Sequence, residues 1–208
     1  MMNETIGKPD TTEYLPYYSK YVALVPDGDI LTVLRKQMEE TLALLGSIPE
    51  EQADFRYAPD KWNIKELVGH IIDTERIFAY RALRFARNDK TPLPGYEQDD
   101  YVSNASFGSC TLADLASEFE SVRRSNLFLF RHLDGNAWMR KGLANDSEAS
   151  VRALAHIIAG HELHHREILR NRYLSAIAGF VRTGSGSDPV STGTSDDPVA
   201  TARGFEKC

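Results

Sequence analysis

One short stretch of the chain carries residue types whose spacing lets them do chemistry together. Residues 160–165 read GHELHH, so His161 and His165 stand four apart. At about 100° per residue they lie about 40° apart on a helix, close enough for two imidazoles to point at one atom. Leu154, Ile158, Ile168 and Arg172 share that sector, which turns both rings into a protein interior. An unpaired polar group in a core costs about 1–3 kcal/mol, and a metal bond replaces the lost hydration. The same stretch also fits H-E-x-x-H, with Glu162 as the general base of a zinc protease. That reading requires a third ligand close downstream, but positions 168 and 171 are Ile and Asn. It also requires a strand edge to hold an extended peptide. Glu162 points about 100° from His161 and is only a weak base candidate, better read as a supporting carboxylate.

The other histidines divide by position. His70 falls in the second turn of a helix, off the centre of its apolar side, so periodicity alone makes it a weak third ligand. His156 projects about 140° from His161 and is expected to face outward. His164 sits about 60° to the side of the pair, and His132 suits a helix C-terminus. Glu75 falls on an apolar stripe and needs a buried partner, with the neighbours of Arg76 or Arg172 across the bundle as the candidates. Tyr96, Asp99 and Tyr101 occupy a long connection and are candidates for contact with a substrate. Trp62 reads as a core anchor.

Four amphipathic segments must position these groups. The first starts at Asp29, a cap, and carries Ile30, Val33, Leu34, Met38, Thr41, Leu42 and Leu45 at helical spacing, with Gly46 as its stop. Asn63 caps the second, from Ile64 to about Asn88. Thr111, with Asp114 three positions on, opens the third, which ends near Asp134-Gly135. Ser147 or Ser150 opens the fourth, which runs to about Ile177 and stops at Gly179. Residues 89–110, about 20 residues without a period, cross between the second and third helices. No stretch alternates as a strand does. The expected fold class is therefore all-α, an up-down-type four-helix bundle with one long crossover loop. Residues 1–28 read as an irregular arm, 29–178 as the bundle, and 179–208, rich in Gly, Ser, Asp and Pro, as a disordered tail.

Composition narrows the function. The chain has 208 residues and a net charge of −6, which argues against binding a nucleic-acid backbone. Its two cysteines are far apart, so a reducing, cytoplasmic setting is expected. No signal peptide or membrane-length apolar run is visible.

The stretches YAPDKWNIKELVGHIIDTERIF and VRALAHIIAGHELHHREILRNRY resemble the DinB-like superfamily of metal-binding four-helix bundles. The likeness extends from about Asp29 to Leu174, through Trp62-Asn63, Gly69-His70, Gly160-His161 and His165. It implies one divalent transition metal on His70, His161 and His165. Zinc, nickel and iron all suit imidazole ligands. The resemblance further implies a small-molecule substrate and transfer of a low-molecular-weight thiol to an electrophile, with metal-dependent hydrolysis as the enzymatic alternative. A stress-related metal-binding bundle without turnover is the rival from another class. Dimerisation through exposed helix faces is a further expectation.

Overall fold

A computed structural model describes residues 5–182. Of the expected tail, residues 183–208 lie outside the described residues. Four long helices form the body: α2 (Ile30–Gly46), α3 (Ile64–Ala86), α5 (Leu112–Arg131) and α7 (Val151–Ile168). Their starts are the ones the capping residues set. Asp29 accepts from the Thr32 amide at 3.0 Å, and Ser150 Oγ accepts from the Ala153 amide at 2.9 Å. Asn63 and Glu66 exchange two 2.8 Å bonds in a reciprocal capping box, and Thr111 and Asp114 form another. Each such cap contributes roughly 1 kcal/mol.

The close helix pairs are α3 with α7, α3 with α5, α2 with α5 and α2 with α7. Consecutive long helices α2 and α3 are thus diagonal partners, as are α5 and α7. The expected all-α four-helix bundle is present, with this order around its axis.

The core is split along its length. At one end Ile30, Leu34, Phe78, Phe85, Phe130, Trp138, Leu154 and Ile158 pack together. At the other, Met38, Leu45, Leu67, Ile71, Leu115, Phe119, Ile168 and Tyr173 do. Every long helix changes cluster part-way, and the residues at the changeover are polar and buried: Gln37, Glu75, Arg123, Asn126, His161, Glu162 and His165.

Four local expectations are corrected. The arm is not wholly irregular: it holds a short helix, α1 (Ser19–Leu24), packed on α7. The crossover contains α4 (Gln98–Asn104), whose seven residues, about two turns, are too short to show a period. After α6 (Gly135–Met139), strands β1 (Lys141–Ala144) and β2 (Ser147–Ser150) form an antiparallel hairpin. Asn145 and Asp146, both at positive φ (51° and 55°), make the tight turn that joins them. Four residues per strand give too little alternation to read. Finally, α7 does not stop at Gly179. A π-helical turn, Leu169–Leu174, carries it into α8 (Ser175–Arg182).

Candidate metal centre

His70 on α3 meets His161 and His165 on α7. The Nε2 atoms of His70 and His161 are 3.0 Å apart, and those of His165 and His161 3.1 Å. One nitrogen from each of the three rings lies within 4.8 Å of the others. Periodicity undervalued His70. The α3–α7 packing, the most extensive in the bundle, brings its ring onto the pair.

Two glycines make this approach possible. A Cβ on Gly160 would stand 2.1 Å from the Tyr21 carbonyl oxygen, so only glycine lets α1 lie against α7 here. A Cβ on Gly69 would stand 2.4 Å from the Phe107 ring. Each glycine directly precedes a triad histidine. Aromatic side chains complete the walls: Trp62 packs on His70 with ring centres 4.7 Å apart, and Tyr21 on His161 at 5.6 Å and on His164 at 5.4 Å. Trp62 therefore supports a triad ring directly, beyond anchoring the core.

The donor set fits a cation. All three rings are buried, with 2%, 8% and 5% of the surface of His70, His161 and His165 exposed. Burial, with a smaller contribution from the His164 ring, pushes the His70 pKa down to about 3. Burial, then the neighbouring imidazoles and Lys20, hold His161 and His165 well below the usual histidine range. The rings are thus neutral at pH 7, the form that ligates metal. A neutral imidazole has one N–H and one lone pair, so the two contacts shared by His161 Nε2 cannot both be good hydrogen bonds. A shared cation satisfies all three lone pairs. Two nitrogens on one tetrahedral zinc stand about 3.3 Å apart, close to the separations found here. Among the described residues the buried Nδ1 of His165 has no hydrogen-bond partner, whereas ligating histidines usually donate through that nitrogen.

Glu162 is occupied elsewhere. Its Oε2 accepts from Arg123 at 2.7 Å and its Oε1 from Thr41 at 2.5 Å, with Arg166 3.9 Å away. Arg123, on the diagonal helix α5, also grips Glu75 through two bonds of 2.7 and 2.8 Å and donates to the Leu34 carbonyl at 3.0 Å. Asn126 adds a 3.1 Å bond to Glu75. Burial alone would lower the Arg123 pKa, but Glu75 and Glu162 outweigh it and hold the guanidinium charged. The expected partner of Glu75, Arg172, is replaced by Arg123. Position 123 continues the spacing of Phe119, Asn126 and Phe130, so its face was readable, though not which helix it meets.

His156 is not outward-facing. It is 1% exposed, and its Nδ1 lies 2.9 Å from the Arg152 carbonyl. The N-terminal arm covers that side of α7 and buries a face that would otherwise meet water. Tyr96 is buried, and its hydroxyl pairs with Thr74 on α3, one turn past His70, at 2.7 Å. Tyr101 packs edge-on against Tyr96 at 5.1 Å and is half exposed, while Asp99 lies exposed in the first turn of α4. The connection is therefore fixed to α3 near the triad.

Residues 34–169, two-thirds of the chain and all three histidines, match the DinB superfamily. The chain belongs to that superfamily. Among solved structures, YfiT from Bacillus subtilis shares its fold with a TM-score of 0.61 at 15% identity, over 83% of this chain and 93% of that one. YfiT is described as a probable metal-dependent hydrolase with an unusual four-helix bundle topology. No curated protein matches the chain in sequence. No helix among the described residues is long and apolar enough to cross a membrane.

Proposed function

We propose that this DinB superfamily protein is a metal-dependent enzyme acting on a small molecule, with one divalent ion held by His70, His161 and His165. The observation that carries the reading is the convergence of three buried, neutral Nε2 atoms from two helices. A bound divalent ion would supply Lewis acidity there and lower the pKa of a thiol or water that reached it. The protein's part is to present three lone pairs, exclude bulk water and hold the rings in place. Trp62 and Tyr21 perform the last task by packing, and the Arg123 network does so by fixing the rotation of α7.

Transfer of a low-molecular-weight thiol to an electrophile is the favoured chemistry. The two buried carboxylates of the polar layer, Glu75 and Glu162, are both engaged by Arg123. A thiol with its pKa lowered by a bound divalent ion would pass its proton to solvent at neutral pH, and the thiolate is itself the nucleophile. Hydrolysis is the second reading, supported by the description of YfiT.

The test is metal content by elemental analysis of chain purified without chelator or nickel resin. One metal per chain is expected, and its loss is expected in each of His70→Ala, His161→Ala and His165→Ala. Retention in His70→Ala alone would place the third ligand elsewhere. Loaded protein is then assayed with small thiols and electrophiles, beside ester and amide substrates. Turnover that does not depend on thiol would favour the hydrolase.

A further inference from the structure

We infer that Lys20 is an anion-recognition point of this centre, and that the ligand reaching the triad carries a negatively charged group beside its metal-seeking atom. The inference rests on the metal-centre reading and adds a substrate class to it.

Helix α1 carries Lys20 and Tyr21 to the triad's side of α7. That helix, Ser19–Leu24, precedes residues 34–169, the segment matched to the superfamily. It is nonetheless built in, because glycine at 160 lets the Tyr21 backbone rest on α7. Tyr21 then lies edge-on to both His161 and His164. Next to it, Lys20 places its ammonium 4.2 Å from the centre of the Tyr17 ring and 4.8 Å from that of Tyr21. With Tyr21 the single ring between them, the ammonium is at most about 10 Å from the His161 ring.

Beyond these two rings its charge is unpaired among the described residues. Lys20 is exposed and, among the described residues, has no carboxylate partner. Its field reaches His161, His164 and His165, all of which it disfavours as cations. Two aromatic faces hold the ammonium in place at little further entropic cost. The whole chain carries a net charge of −6, so a fixed cation beside the triad stands out against a repulsive background. The neutral imidazoles contribute no opposing charge. A carboxylate or phosphate on the ligand is the complement of this arrangement.

The full chain reconstituted with Co(II) provides the assay, read by ligand-field absorption. It is titrated with 3-mercaptopropionate and with 2-mercaptoethanol, which share a thiol and differ in the carboxylate. The ratio of their dissociation constants is compared between variants, so intrinsic differences between the thiols cancel. Lys20→Gln is expected to lower the preference for the carboxylate roughly three- to tenfold at low salt. Lys20→Arg is expected to keep it. Raising salt to half molar should erode the preference in the unsubstituted protein. An unchanged ratio in Lys20→Gln, or a salt-independent preference, would overturn the inference while leaving the metal centre standing. Absence of any ligand-field band in the unsubstituted protein would instead remove the metal centre, and this inference with it.

Discussion

Arg123→Met is the sharpest test of how the bundle is held together. Arg123 is fully buried and shape-matched by methionine, so the substitution removes charge with little change in volume. It leaves Glu75 and Glu162, 3% and 1% exposed, facing each other across the gap. Glu75 keeps one bond from Asn126, and Glu162 keeps Thr41 and a 3.9 Å approach from Arg166. Breaking a buried pair by deleting one partner costs about 3–5 kcal/mol, against a total of about 5–15 kcal/mol for a domain. Two pairs are broken here, but they share one guanidinium, so the cost stays near the top of that range rather than doubling. With a urea slope near 2 kcal/mol per molar, the midpoint should fall by about 2 M. The measurement is made on metal-free protein in chelator, so that metal binding does not mask the loss. The triple variant Arg123→Met, Glu75→Gln, Glu162→Gln removes both orphaned charges and should recover most of the midpoint. A single-variant shift below about 0.5 M, or a triple variant less stable than the single, would refute the claim that the charged layer is mutually dependent.

Other outcomes follow from particular contacts. Gly160→Ala should cost more stability than Gly69→Ala by roughly 1–3 kcal/mol, because its Cβ meets backbone at Tyr21 while that of Gly69 meets a ring that can swing away; paired urea titrations decide the order. The apo protein should lose stability as pH falls. His70 and His156 have folded pKa values lowered to about 3 and about 4, so both are neutral when folded and take up protons on unfolding below the unfolded value near 6.5. Their contribution is complete above pH 6.5 and is lost towards pH 4 and then 3, at up to about 1.4 kcal/mol per pH unit for each ring; denaturation midpoints at pH 7.5, 6 and 5 measure it. Trp62 lies against His70 and Trp138 packs on Phe130 in the far cluster. Added Cu(II) should therefore quench the emission of Trp138→Phe strongly and that of Trp62→Phe weakly, and equal quenching would separate the ion from His70.

What could be read in the sequence was what helices write into it. Asp29, Asn63 and Thr111 are caps that act locally, and the apolar stripes repeat over five or six turns, so both survive without knowledge of neighbours. His161 and His165 were legible as a pair because they share one face of one helix. His70 was not, since its partners lie 91 positions away and its own helix places it off the stripe's centre; the family resemblance supplied it. His156 was misread for the converse reason. A stripe reports the face turned towards the bundle, and nothing in α7 itself reveals that the N-terminal arm buries its back. The hairpin at 141–150 escaped because Asn145-Asp146 was a turn signal between segments too short to alternate. Glu75 was rightly placed in the interior, but choosing Arg172 over Arg123 required knowing that α3 packs on α5.

The polar layer gives a physical reason for the site's position. A bundle with one uniform apolar core can slide its helices by a turn at modest cost. Here Glu75, Arg123, Asn126 and Glu162 meet with Thr41 and the Leu34 carbonyl of α2, and a one-turn slip of any helix would strand buried charge. His161 and His165 flank Glu162 on α7, and His70 lies five residues before Glu75 on α3. The register that satisfies Arg123 is thus the register that brings the three imidazoles together. Stability is sacrificed to hold that register, since an apolar layer of equal volume would be at least as stable. Such a cost is understandable if the ligand geometry must be set before metal arrives. It follows that the triple variant, though stable, should bind metal less uniformly than the natural chain, with broadened ligand-field bands in its Co(II) form. Bands as sharp as those of the natural chain would mean that packing around Trp62 and Tyr21 alone positions the triad.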